Sequence, residues 1–200
     1  VTGACGSVGS ELVKELLKKG CTVCAFDNSE DKLFQLDQEI DQTLKNRIRL
    51  FFGDIRDFDR LNMALKGVDI VFHCAALADI VPSIQQPEAY FRANVNGTFN
   101  VLQAAKAAEV KRFIYIASSS CYGIPDKYPT SEDAEIRPQY PYALAKRMGE
   151  ELVMHWAQVY NFPALSLRFF NVYGPRSRTS GTYGAVFGVF LGQKLAGKPY

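Results

Sequence analysis

Thr2-Gly-Ala-Cys-Gly-Ser-Val-Gly9, running directly into Ser10-Glu-Leu-Val-Lys-Glu-Leu-Leu-Lys-Lys19, is the stretch that decides the fold. Leu12, Val13, Leu16 and Leu17 recur at helical spacing and Gly20 supplies a stop, which predicts a helix over 7–19. Gly3, Gly6 and Gly9 therefore form a turn that opens a helix. Glycine allows the chain to turn tightly there, and it leaves backbone N–H groups open to an anion at the positive helix end.

The next segment, Cys21-Thr-Val-Cys-Ala-Phe26, reads as a strand and ends in Asp27, 18 positions after Gly9. A carboxylate roughly 20 residues beyond a glycine turn is placed to grip the adenosine ribose hydroxyls of a dinucleotide. Asp27 would repel the 2′-phosphate of NADP, Asn28 and Ser29 offer no guanidinium, and Lys32 is the only nearby cation. NAD is the expected cofactor.

Strands and helices alternate through the rest of the chain. Helix 30–44, strand 47–52, a short helix 58–65 and strand 68–74 are followed by helix 88–108, strand 111–117, a loop, helix 141–160 and strand 163–169. Near-continuous apolar runs such as Val68–His73 and Phe113–Ala117 suit strands buried on both faces. The pattern predicts an α/β fold, a doubly wound parallel sheet with right-handed crossovers. Ligands of such sheets bind beyond the carboxyl ends of the strands, where Gly3 to Gly9, Asp27, Asp54, Ala75 to Leu77 and Ser118 all fall.

Composition places few demands on this reading. A formal charge of +2 over 200 residues gives no reason to expect nucleic acid, and no apolar run approaches a membrane span. Cys5, Cys21, Cys24, Cys74 and Cys121 are odd in number and scattered, which argues for free thiols and a reducing, cytoplasmic setting. Cys21 and Cys24 lie three apart on a strand, so they point to opposite faces; with only His73 and His155 besides, no metal site is expected. Val1 stands directly against the glycine turn, leaving no room for the strand that should precede it. The chain therefore reads as a window cut from a longer protein, expected to fold poorly alone.

The chemistry centres on Tyr142 and Lys146 in Tyr140-Pro-Tyr-Ala-Leu-Ala-Lys146, four apart on a predicted helix and so on one face. An ammonium about 5 Å from a phenol, at an effective dielectric near 20, favours the phenolate by roughly 3 kcal/mol, or about 2 pK units. That would bring a tyrosine into range for proton transfer. Ser118, leaving strand 111–117 in Ser118-Ser-Ser-Cys-Tyr-Gly123, can bond a substrate hydroxyl and help pass its proton; its plain alternative is a turn hydroxyl capping local backbone.

In order along the chain, TGACGSVG, FDNS, GDIRD, HCAALA, NVNGT, SSSCYG, YALAK and RFFNVYGPR resemble the extended short-chain dehydrogenase/reductase family, within it the nucleotide-sugar epimerases and dehydratases. The resemblance runs from Thr2 to Arg176. It implies a Rossmann domain over 1–170, its first strand largely missing, and over 171–200 the beginning of a smaller substrate-binding region. By it, Gly3, Gly6, Ser7, Val8 and Gly9 correspond to the pyrophosphate turn, Asp27 with Asn28 to the ribose ligand, and Asp54 and Ile55 to the adenine edge. Ala75, Ala76 and Leu77 would line the cofactor. Asn94 would lie near it, or serve only as an N-cap. Lys146 would also hold the nicotinamide ribose, and Phe170 would lie against the nicotinamide. Ser118, Tyr142 and Lys146 would be catalytic, with Ser118, Ser119, Tyr142 and Asn171 meeting the nucleoside-diphosphate sugar. Helices 88–108 and 141–160 resemble a pair that builds a homodimer interface.

The 4,6-dehydratases of the family carry an Asp-Glu pair after the catalytic hydroxyl residue. Here those places are Ser119 and Ser120, which favours 4-epimerisation. A dehydratase drawing carboxylates from elsewhere, a keto-sugar reductase and a non-catalytic dinucleotide sensor are the alternatives.

Overall fold

The computed structural model describes residues 1–174 and 186–199. Five strands, β1 (Val23–Asp27), β2 (Ile48–Phe52), β3 (Ile70–His73), β4 (Arg112–Ser118) and β5 (Ala164–Phe169), pair in parallel as β1-β2 and β3-β4-β5. Val1 and Thr2 join the two groups. Thr2 bridges Phe26 on one side and His73 on the other, with Thr2 N–H donating to Phe72 O at 3.0 Å and Thr2 O accepting from Cys74 N at 3.1 Å. The sheet order is thus β2-β1-Val1/Thr2-β3-β4-β5, and the last residues of the expected central strand lie at its centre.

Alternate residues of β1 feed opposite faces of this sheet. Val23 and Ala25 pack with Val13 and Leu17 of α1 (Ser7–Lys18) and Leu36 of α2 (Glu30–Glu39). Phe26 packs on the other side with Leu61 of α3 (Phe58–Ala64), Val101 and Leu102 of α6 (Gly97–Ala107), and Val153 and Trp156 of α7 (Pro141–Val159). Each such fully buried aliphatic side chain contributes about 1.5–3 kcal/mol, so α1 is held by its apolar stripe.

Four expectations need correction. The helix over 30–44 stops at Glu39, because Asp41 accepts from Thr43 N at 2.8 Å and starts a separate 3-10 segment, Gln42–Arg47. The helix over 88–108 is three pieces: α5 (Pro87–Phe91), a π-helical turn (Arg92–Asn96) and α6. A short α4 (Ile80–Gln85), six residues carrying Pro82 and too brief for a periodic signal, precedes them. Burial on both faces holds for Phe113–Ala117 in β4 but not for all of Val68–His73, where Ile70 is 47% exposed; on β5, Leu165 and Leu167 are 47% and 38% exposed. Beyond β5 lies α8 (Val186–Leu195); Pro175 and Arg176, the end of the last matching motif, fall outside the described residues.

Candidate active site

The glycine turn is built as its composition demands. Gly3 sits at φ +65°, and a Cβ there would stand 2.7 Å from Ala75 N; at Gly9 a Cβ would stand 2.1 Å from the Gly3 carbonyl oxygen. These two positions admit only glycine. Gly6 caps α1 without a side-chain oxygen, and the first turn of the helix holds no acidic residue, so no side chain of the helix itself occupies its positive end. Ser7 and Val8 open the helix, the serine exposed.

Beside the turn runs a crevice of about 280 Å³ lined by Gly3, Gly6, Asp27, Asn28, Asp54, Ile55 and Ala75 to Leu77. The structure thus brings together nine of the residues singled out from sequence. Asp27 is 9% exposed and fixed by two backbone donors, Cys5 N at 2.9 Å and Ser29 N at 3.1 Å. A carboxylate offers about four acceptor sites, so two remain for the hydroxyls of a ribose. The glycines and alanines of the lining (Gly3, Gly6, Gly53, Ala75, Ala76, Ala89, Ala93) keep backbone within reach of a ligand. The donor set fits NAD.

Sequence reading missed Arg56. It lines the same crevice, so Lys32 is not the only nearby cation. Its guanidinium forks onto Asp54 (Nε to Oδ1 2.9 Å, Nη2 to Oδ2 2.6 Å), which also accepts from Arg56 N at 2.8 Å. Hydrogen bonds from Arg56 hold the Asp54 carboxyl below its usual range. An arginine two residues after a strand-end acid was the available signal.

Asn94 is not an N-cap. It lies inside the π-helical turn, 1% exposed, and its amide grips both backbone groups of Leu77: Oδ1 accepts from Leu77 N at 2.8 Å and Nδ2 donates to Leu77 O at 2.9 Å. It is absent from the crevice lining and acts on it through Leu77. Thr98 donates to Asn94 O at 2.7 Å and lies 3.0 Å from His73 Nε2, while His73 Nδ1 lies 2.7 Å from Thr2 Oγ1. Burial, then the Lys146 charge, lowers His73 to about 3, so this histidine stays neutral and ties the central strand to α6.

Ser118 and Tyr142 meet at the carboxyl end of β4. Ser118 Oγ accepts from Ser120 N at 3.2 Å and lies 2.8 Å from Ser120 Oγ, so it does cap its turn; its hydroxyl also acts on Tyr142, favouring the ionised phenol. The Tyr142 ring meets Tyr90 edge-on at 6.3 Å, and Tyr90 OH donates to Ala78 O, bringing the segment before α4 against the phenol. Asp79 follows, a non-glycine residue at φ +83°.

The electrostatics differ from expectation. Burial raises Tyr142 above its ordinary value, the Ser118 hydroxyl opposes this, and the Asp79 charge adds to it. Lys146 does not lower it. The lysine is 4% exposed, donates to Ile116 O and sits 4.3 Å over the Tyr115 ring. Burial lowers Lys146 to about 7, opposed by the Glu150 carboxylate. A desolvated lysine aimed at a carbonyl has little leverage on a phenol one turn away.

Phe170 and Asn171 are not brought to the glycine crevice. Both are exposed; the Phe170 ring stacks on Tyr122 (centroids 6.3 Å, planes 27° apart) and lines a cleft of about 530 Å³ with Arg147, Glu150 and Arg168. Ser119 lies in the 3-10 turn Ser119–Tyr122. Among the described residues no metal-binding group occurs, the five cysteines are free, and no helix is long and apolar enough to cross a membrane.

Fold and site together define a Rossmann-like α/β protein whose crevice fits a dinucleotide, with Tyr142, Lys146 and Ser118 close to the carboxyl end of β4. The chain belongs to the NAD dependent epimerase/dehydratase family, which it matches over residues 1–200. It is 34% identical over 189 residues to UDP-glucuronate 4-epimerase 6 of Arabidopsis thaliana, covering 92% of this chain and 41% of that protein. Among solved structures it is similar to a UDP-N-acetylglucosamine 4-epimerase from Methanobrevibacter ruminantium M1 in complex with UDP-N-acetylmuramic acid (TM-score 0.89, 30% identity, 98% of this chain, 62% of that one). It is also similar to the UDP-glucose 4-epimerase of Thermus thermophilus in complex with NAD (TM-score 0.85, 28% identity, 100% of this chain, 63% of that one). The chain spans less than two thirds of each of these three relatives.

Proposed function

We propose that the protein is an NAD-dependent epimerase acting at C4 of a nucleoside-diphosphate sugar. The observation that carries this reading is the glycine-lined crevice with Asp27 at its edge, together with Tyr142 and Lys146 one turn apart on α7 and the Ser118 hydroxyl acting on the phenol. When bound in the crevice, NAD supplies a hydride acceptor and a positively charged ring. Asp27 holds the adenosine ribose, the amino end of α1 takes the pyrophosphate, and Leu77, fixed by Asn94, closes one wall. Lys146 orients the second ribose, Phe170 would lie against the nicotinamide and Asn171 would meet the substrate phosphate, both outside the glycine crevice as the chain stands.

Tyr142 exchanges a proton with the C4 hydroxyl, and Ser118, which acts on the phenol, holds that hydroxyl in place. As found, Tyr142 is a neutral phenol, the form that returns a proton to a 4-keto sugar. Taking the proton requires the phenolate, which the Lys146 ammonium stabilises when it leaves the Ile116 carbonyl. The keto sugar turns over between the two transfers, and the cycle has no net redox change.

A 4,6-dehydratase is the second reading, since the family includes both reactions. Ser119 and Ser120 supply hydroxyls where that reaction needs a carboxyl acid and base. An apolar cleft of about 590 Å³ on α5 and α7, with exposed Phe91 and Leu144, supports a homodimer. Free thiols fit a cytoplasmic setting. The test is incubation with UDP-, GDP- and dTDP-sugars, products read by chromatography and cofactor by absorbance. Conversion to a 4-epimer without net NADH is expected. A 4-keto-6-deoxy product selects the dehydratase, and no conversion of any sugar removes the proposal.

A further inference from the structure

Glu150 takes no part in the chemistry outlined above, yet the fold goes to some length to hold it. Its side chain is 5% exposed. Oε1 accepts from Ser166 Oγ at 2.8 Å and from Arg168 Nε at 2.9 Å, and Oε2 accepts from Arg147 Nη1 at 2.9 Å. Arg168 reaches further, donating through Nη1 to Tyr122 OH at 2.6 Å and to Glu132 O at 2.9 Å. One buried carboxylate therefore ties α7 to β5, and through Arg168 to the turn that follows Ser118.

Stability alone is a weak reason for such a group, because apolar residues of similar volume commonly replace a buried ion pair without loss. Position supplies a better one. Tyr142, Lys146 and Glu150 follow at four-residue steps along α7, one stripe of the helix. Such neighbours have Cβ atoms roughly 5–6 Å apart, and a charge in this dry interior is only weakly screened at separations of that order.

We propose that Glu150 is a positioning residue for the Tyr142–Lys146 pair: clamped by Arg168, Arg147 and Ser166, its carboxylate keeps the buried Lys146 ammonium charged. The inference rests on the reading of that pair given under Proposed function. The groups facing Lys146 from elsewhere are His73 and Cys74 at the end of β3, and the Tyr115 ring and Ile116 carbonyl of β4. His73 is neutral, and burial pushes the Cys74 thiol up to about 11, so it carries no charge at neutral pH. Burial pushes Tyr115 up as well. Among the groups that raise Lys146, Glu150 is the one ionised at pH 7. Facing Glu150 itself are Arg147 on its own helix, Ser166 and Arg168 on β5, Tyr115 on β4 and Cys121 in the turn after it.

The test is a pH titration of the Lys146 ε-carbon by NMR, with the signal assigned by its loss in Lys146→Arg. Glu150→Gln should raise the proton dissociation constant of Lys146 at least about threefold, roughly 0.5 pH unit toward acid. Glu150→Asp, which draws the carboxylate back by one methylene, should give a smaller shift in the same direction, and decides the matter if the Gln variant does not fold. A midpoint unmoved by either substitution overturns the inference. In the active enzyme the alkaline limb of kcat against pH should move by the same interval. A shifted midpoint in a protein that converts no sugar nucleotide faults the reaction and not the charge coupling; an unshifted midpoint in an active enzyme overturns the coupling alone.

Discussion

Burial pulls Tyr142 away from the phenolate, and Ser118 is the neighbour that pulls it back. Residue types and their spacing marked Tyr142, Lys146 and Ser118 plainly in the sequence. The direction of the tyrosine shift was not legible, because desolvation depends on what the fold packs around a group and on where a lysine tip points. Tyr142→Phe removes the proton-transfer group and leaves the crevice intact. Turnover should fall roughly 10²–10⁴-fold with NAD affinity unchanged, as steady-state rates and a binding titration would show. Asp79→Asn removes a charge that disfavours the phenolate, so the tyrosinate absorbance attributable to Tyr142 should appear at lower pH than in the native protein. Lys146 gives a stability prediction. Its folded-state value of about 7 lies below the ordinary lysine value, so between 7 and 10.5 the unfolded chain binds a proton that the folded one lacks. Stability from this group rises with pH across that window and is lowest below it. Lys146→Met should therefore flatten the rise in Tm on going from about pH 7 to about pH 10; parallel curves for the two proteins would contradict the assigned burial.

At the scale of elements, the glycine turn was readable because its constraint is local. Gly3 and Gly9 exclude a side chain by contacts within the turn and with one neighbouring loop. Gly9→Ala should lower Tm and weaken NAD binding together, seen by thermal denaturation and titration. The π-helical turn was not readable. Helical spacing alone would carry one helix through 88–108, and the π-helical turn within it coincides with the amide of Asn94 reaching 17 residues back to both backbone groups of Leu77. Such tertiary bonds leave no period in the sequence. Asn94→Ala leaves both backbone groups of Leu77 without those partners and should cost about 2–4 kcal/mol, measured by denaturant unfolding. A loss within a few tenths of a kcal/mol would show that the clamp is not formed. The boundary of α2 was missed for a related reason, since Asp41 caps a new segment where helical periodicity alone would continue.

For the whole molecule, the alternation of strands and helices gave the parallel sheet, and the glycine turn gave the edge at which ligands gather. The sequence did not indicate that β5 would leave Leu165 and Leu167 half-exposed, nor that Phe170 would stack on Tyr122 in a separate cleft from the crevice. Those are consequences of strand order and of how far α7 reaches along the sheet. The apolar cleft on α5 and α7 belongs to this scale too. If it seats a second copy, Leu144→Glu should shift the sedimentation of the protein from dimer to monomer, and a native monomer would exclude that pairing. The most direct test of the central claim is to follow deuterium from a sugar nucleotide labelled at C4 through one round of conversion. Removal and return of hydride at the same carbon predicts a 4-epimer that keeps its label at C4, with none lost to solvent. Label found in water, or moved to C6, would contradict it.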